Sequence, residues 1–129
     1  MMNETFFRNL FRTAAAYNII VGIIVVLFPQ LFFLLFGLPE INYSYVMSGL
    51  GMFVGIYGLG FYIVSLDPRR NHYFALLGLL GKSFGVIGWS YYTFTGIIPL
   101  TALWTNFFND IVWLPFFIAY LRWHWKFSP

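Results

Sequence analysis

The sequence predicts an all-α protein, a four-helix transmembrane bundle with both termini in the cytoplasm. Three observations predict it. Hydrophobic residues make up 60% of the chain and charged residues only 9%, against roughly 25% charged in soluble domains. The apolar residues fall into long uncharged blocks, which read as helices, whereas a membrane barrel shows short segments of alternating hydrophobicity. Basic residues cluster before the first block, between the second and third, and after the fourth. At about 20 residues per crossing, four spans and their connections fill residues 1–129 as a single integral membrane domain.

The first span is expected over about residues 13–36. Before it, Phe6, Phe7, Leu10 and Phe11 recur at helical spacing, with Arg8 and Arg12 between them. This lead-in is either an amphipathic helix in the headgroup layer or the first turns of the opening span. The small run Ala14–Ala16 comes before the apolar core and not after it, so the segment is expected to be retained and not cleaved. Pro29 cannot donate to the carbonyl of Val25, so a kink or break is expected there. Gly37 and Pro39 then turn the chain.

The second span is expected over about 45–66 and the third over about 73–94. Gly51, Gly55 and Gly58 share a face of one; Gly81, Gly85 and Gly88 repeat that spacing on the other, with Gly78 one step earlier. Small faces let helix backbones approach closely in lipid. The matched spacing points to packing between spans two and three, and the same faces suit a homodimer. The fourth span is expected over about 103–121, with Thr101 as its N-cap and a kink where Pro115 deprives the Ile111 carbonyl of its partner.

Topology follows from the positive-inside rule. Arg8 and Arg12, Arg69 and Arg70, and Arg122 and Lys126 mark one side. The other two connections hold no Lys or Arg and one acid, Glu40. Trp123 and Trp125 then mark the inner interface, and Trp104, Tyr91, Tyr92, Tyr43 and Tyr45 the outer one. The net charge of +3 is too small for nucleic-acid binding. With no cysteine, the chain offers no disulfide, thiolate metal site or thiol redox chemistry.

Chemistry concentrates in two places. Asn106, Asn109, Asp110 and Trp113 fall at i, i+3, i+4 and i+7, so a regular helix would put them on one face. Lys82 is nine residues past Tyr73 and Asp110 seven past Leu103, near the middle of their antiparallel spans. A charge at the bilayer centre costs about 2.5–3.5 kcal/mol on insertion scales, so each needs a partner or a purpose. One reading is a ligand-binding polar centre of Lys82, Asn106, Asn109, Asp110 and Trp113, with Asn18 from span one. The other is a structural clamp between two helices. His72 and His124 fall at the cytoplasmic edge, where interfacial anchoring is favoured over haem ligation. The turn Asp67–His72 reads as a topogenic connection. Paired carboxylates, phosphate-binding loops, H-E-x-x-H and G-x-S-x-G are missing. No cofactor or metal site is expected.

With an arginine before span one, glycine-rich central spans, and Arg12, Asn18, Gly22 and Pro29 along the first segment, the layout resembles the small four-helix bacterial membrane proteins grouped as DoxX-like. That resemblance implies a multi-pass protein of the bacterial inner membrane, with some family members serving as subunits of quinone-linked redox complexes. It carries no site residue over to this chain. Three functions follow in order of preference. The first is a small component that binds or transports a small molecule or lipid. The second is an accessory or assembly subunit of a larger membrane complex, with no ligand of its own. The third, least favoured for want of motifs, is an enzyme.

Overall fold

The computed structural model describes residues 2–39 and 42–127. All the regular structure among them is helical, with no strand. Glu40, the acid expected in the first outer connection, lies outside the described residues.

Helix α1 spans Glu4–Leu27. Its N-cap is Asn3, whose side chain accepts from the Phe6 N–H at 2.9 Å. That cap settles the lead-in: the expected amphipathic segment is the opening turns of one continuous helix about 36 Å long. The chain breaks at Phe28, and α2 (Pro29–Leu35) begins with Pro29 in its first turn. Pro29 thus starts a new helix and does not kink an old one, because a missing N–H costs nothing at a first helical position. Gly37 ends α2 at φ 65°. The Leu38 N–H reaches back to Phe33 O at 2.9 Å and Gly37 N–H to Leu34 O, the paired bonds of a Schellman cap.

Helix α3 covers Ser44–Leu66 and α4 covers His72–Phe94. Together with α1 they are, among the described residues, the three helices long and apolar enough to cross a membrane. The turn between α3 and α4 is held by Asp67, whose carboxylate accepts from the N–H groups of Arg69 and Arg70 at 3.1 and 3.2 Å. Gly96, at φ 76°, closes α4 with a second Schellman cap, Ile97 N–H to Tyr92 O at 3.0 Å and Gly96 N–H to Thr93 O at 3.1 Å.

The expected fourth span, 103–121, is not one regular helix. A 3-10 turn at Leu100–Ala102 leads into α5 (Leu103–Asn106), then a π-helical turn over Phe107–Ile111, and then α6 (Leu114–Phe127). Pro115 accounts for a break here, but the break lies upstream of where a simple kink would fall. Val112 N–H bonds to Phe107 O, five residues back, and Trp113 N–H to Asp110 O, three back, each at 3.1 Å. Thr101 is not an N-cap. It sits inside the 3-10 turn and donates its hydroxyl to Phe36 O at 2.7 Å, tying this segment to the end of α2.

The small-residue faces meet partners other than those expected. A Cβ added at Gly22 of α1 would lie 2.8 Å from Gly51 O and from Gly55 N on α3. One at Gly58 would lie 2.8 Å from the Ile19 side chain and 3.1 Å from Ala15 O. Gly51 and Gly58 therefore pack against α1, not against α4. On α4, Gly78 accommodates the rings of Phe61 and Phe117, and Gly85 faces Asp110. Spacing alone reports that a face is small; it carries no information about which neighbour uses it.

A core of Phe7, Phe11, Phe61, Val64, Phe117 and Tyr120 fills one end of the structure. Polar ties close that end. Arg8 donates to Ser65 O and Leu66 O, Arg69 pairs with Glu4 at 2.8 Å, and the Tyr120 hydroxyl donates to Pro68 O at 2.6 Å. The start of α1, the α3–α4 turn and α6 thus meet at a single end.

Candidate functional site

Midway along α4, Lys82 is 8% exposed. Its ammonium donates to the backbone carbonyl of Asn109. That carbonyl lies in the π turn, where the regular i→i−4 ladder is interrupted and acceptors are released. The Asp110 carboxylate comes no nearer to Nζ than 4.0 Å. This is within ion-pair range and outside hydrogen-bond range. At an effective dielectric of about 20, such a pair gains about 4 kcal/mol before desolvation. That is less than the summed insertion cost of two charges, about 5–7 kcal/mol. Two features position the carboxylate: the π turn that projects it, and Gly85, where any Cβ would strike it.

The four polar residues expected on one face are divided between two neighbours. Asn106, with 0% exposure, donates to Val86 O at 3.4 Å and Ser90 Oγ at 3.2 Å, both on α4. Asp110 also faces α4. Asn109 turns instead to α1, where its side-chain oxygen accepts from the Tyr17 hydroxyl at 2.7 Å. Trp113 packs its ring 5.4 Å from Tyr17 and donates its indole N–H to Phe108 O at 3.0 Å. The wide turn closes over five residues, so each advances by less than in an α-helix and the period of 3.6 that united the polar positions does not hold across it.

Asn18 also comes to the site, donating to Val54 O at 3.3 Å. It lines, with Lys82, Asn109 and Asp110, a cavity of about 440 Å³. The remaining wall is mostly apolar, with Val25, Phe32, Tyr57 and Phe61 among its members, and Leu50 and Phe53 lie at its exposed side on α3. Such a volume is within the range of small-molecule sites, and an apolar wall with a few converging polar groups is their usual make-up. Trp113 and Asn106 are beside the cavity and do not line it.

Three contributors escaped the sequence reading. Tyr17 resembled any interfacial tyrosine, although its place one residue before Asn18 was a usable signal. Ser90 bonds Asn106. Thr105 is 1% exposed, lines the cavity, and its hydroxyl has no hydrogen-bond partner among the described residues.

At the crowded end, His72 and His124 stack with ring centroids 4.0 Å apart and an interplanar angle of 24°. Burial, and then the neighbouring His72, holds the His124 pKa below the usual imidazole value. Rings stacked face to face leave no space between them for a porphyrin and direct their nitrogens edgewise, so the haem geometry is excluded for this pair. Among the described residues no group of three His, Asp or Glu side chains gathers to hold a metal.

Compared with known families, curated proteins and solved structures, the chain matches none. The functional reading rests on the site.

Proposed function

We propose that this is a multi-pass membrane protein that binds a small amphipathic molecule in the cavity beside Lys82 and Asp110. The observation that carries the reading is that cavity, about 440 Å³, with both charged side chains on its wall. A pure clamp would bury its charges against each other. Here the ammonium bonds a carbonyl and the carboxylate is 4.0 Å away, on the wall of an open space. The π turn supports the same reading, since such turns concentrate at functional sites.

In this proposal α1, α3, α4 and the broken segment from Leu100 to Phe127 form a four-helix bundle in the bacterial inner membrane, with both termini cytoplasmic. Arg8, Arg69 and Arg70 lie at the end where the α3–α4 turn meets the start of α1, which supports that orientation through the positive-inside rule. Tyr43, Tyr45, Tyr91, Tyr92 and Trp104 are all exposed and suit the opposite headgroup layer. Because the chain has no cysteine, single cysteines report sidedness directly. Ile98→Cys is expected to react with an impermeant maleimide in intact cells and Thr5→Cys only after lysis; the reverse pattern refutes the orientation.

Native mass spectrometry of gently solubilised protein tests the function. A small-molecule adduct is expected, lost in the folded Lys82→Met/Asp110→Leu double variant. A co-purifying protein subunit with no small-molecule adduct overturns the reading in favour of an assembly subunit.

A further inference from the structure

The polar wall of the cavity restricts what it can hold. Its lining carries two charged side chains, Lys82 and Asp110, and their charges sum to zero. A third charge would enter a mostly apolar space with no counter-charge left for it, at the full desolvation penalty. A neutral molecule avoids that penalty.

Hydrogen-bonding capacity restricts it further. An ammonium has three donors, and Lys82 directs a hydrogen bond to Asn109 O. The Asp110 carboxylate accepts no hydrogen bond from the described residues, and its nearest approach to Nζ is 4.0 Å. A group seated between them has to accept from one side and donate to the other. A single hydroxyl oxygen does both. A ketone or ester carbonyl only accepts and leaves the carboxylate unsatisfied. Thr105 lines the same wall, but its hydroxyl oxygen is itself fully buried and closed to the cavity. Val21, Val25 and Phe32 of the first two helices and Phe53 of α3 offer apolar contact, while Asn18, Tyr57, Trp89 and Asn109 also line the wall. Leu50 and Phe53 are 53% and 64% exposed, so this side of the cavity meets the surrounding lipid in the proposed topology.

We infer that the cavity selects a neutral, hydroxyl-headed lipid-like molecule, such as a long-chain alcohol or monoacylglycerol. Its hydroxyl bridges Lys82 and Asp110, and its chain runs along the apolar wall toward the α3 side. This rests on the proposed binding function and specifies its ligand class.

Trp89 lines the cavity and serves as the reporter. The full chain, reconstituted in phosphatidylcholine nanodiscs, is titrated with 12-bromododecanol, 12-bromododecanoate and 12-bromododecylammonium, and tryptophan quenching is followed. Exposed Trp104 and Trp125 give a non-saturating background with all three probes. Saturable quenching by the alcohol is expected, at least tenfold tighter than by either ion. It is expected to fall in Trp89→Phe, where Trp113 beside the cavity is the remaining near reporter, and to vanish in Lys82→Met/Asp110→Leu, each checked for helicity and monodispersity. Tighter saturable quenching by either ion overturns the neutral-ligand inference while keeping the cavity as a binding site. No saturable quenching by any probe overturns both readings.

Discussion

The α1–α3 seam and the seam between α4 and the C-terminal segment solve opposite problems. Along the first, glycines bring backbone to backbone, with Gly22 against Gly51 and Gly55, and Gly58 against Ala15. The backbones touch, few polar side chains take part, and the groove of about 440 Å³ along the face of this seam is lined by apolar residues and glycines alone. Along the second, Gly85 makes room for a carboxylate, Lys82 reaches across to a carbonyl, and a cavity opens beside them. Glycine does different work in each. In one it removes volume so that van der Waals contact holds the helices; in the other it removes volume so that a charged group has somewhere to go. A rigid pair thus carries a looser, more polar pair, an arrangement suited to holding a site on a fixed support.

The comparison breaks most readily at Lys82. Lys82→Met alone leaves Asp110 without its counter-charge and is expected to cost about 3–5 kcal/mol, read by unfolding in mixed micelles. Adding Asp110→Leu should restore most of the loss while ligand binding stays absent. If the double variant is no more stable than the single one, the pair is not energetically coupled and the second seam needs another account.

The close seam is probed by Gly22→Val. Its Cβ alone would lie 2.8 Å from backbone atoms that no rotamer change can move, so a loss of about 1–3 kcal/mol is expected from overpacking. Gly88→Ala is the control, because a Cβ there meets nothing within 4 Å; it should cause no loss and gain up to about 1 kcal/mol of helix propensity. Equal effects at the two positions would mean that the glycines of the first seam are not there for close approach.

Tyr17→Phe is directed at the contact between the two regions, the bond from its hydroxyl to Asn109 at 2.7 Å. A loss of about 1 kcal/mol is expected, together with weaker ligand binding if the bond steadies the π turn. Normal stability and normal binding would show the seams to be independent.

The smallest effect belongs to Glu4, which joins α1 to the α3–α4 turn. The hydrogen bond from Arg69, above all, holds its pKa below the usual glutamate value. A depressed folded-state pKa contributes stability that is present above the unfolded value and lost as pH falls through the folded one. Glu4 and Arg69 are 36% and 55% exposed at their side chains, so solvent screening limits the gain to a few tenths of a kcal/mol. Glu4→Gln should show that deficit at neutral pH, and the deficit should shrink to nothing under acid conditions below the glutamate range. A deficit that grows with acidity would contradict the ion-pair account.

Much of this was legible in the chain. Apolar blocks gave the helices, since length and hydropathy are additive along a sequence. Matching depths gave Lys82 and Asp110, because counting residues from two ends of a short connection is nearly a distance measurement. Other features depend on azimuth, which is harder to read. The partner of Gly51 and Gly58 was misassigned because a small face is equally small toward every neighbour. Thr101 looked like a cap because its position relative to Pro99 fits one, but its hydroxyl is used across the fold by Phe36. Trp113 was grouped with Asp110 on the assumption of an unbroken helical period. No local residue pattern announces a π turn; the Val112 N–H to Phe107 O bond reveals it, and it sends Asn109 to α1 and Asp110 to α4.

That turn also sets a length constraint. Each residue advances an α-helix by about 100°. If the residues from Phe107 to Ile111 were wound as regular α-helix with none removed, everything from Leu114 onward would rotate by about that angle, because the π turn fits one extra residue into about the rotation of an α turn. Asp110 would then keep Lys82 only if Tyr120 lost Pro68 and His124 lost His72. The extra residue acts as a phase adjuster: it lets one segment keep a charged group in register at its middle and an aromatic anchor in register at its end.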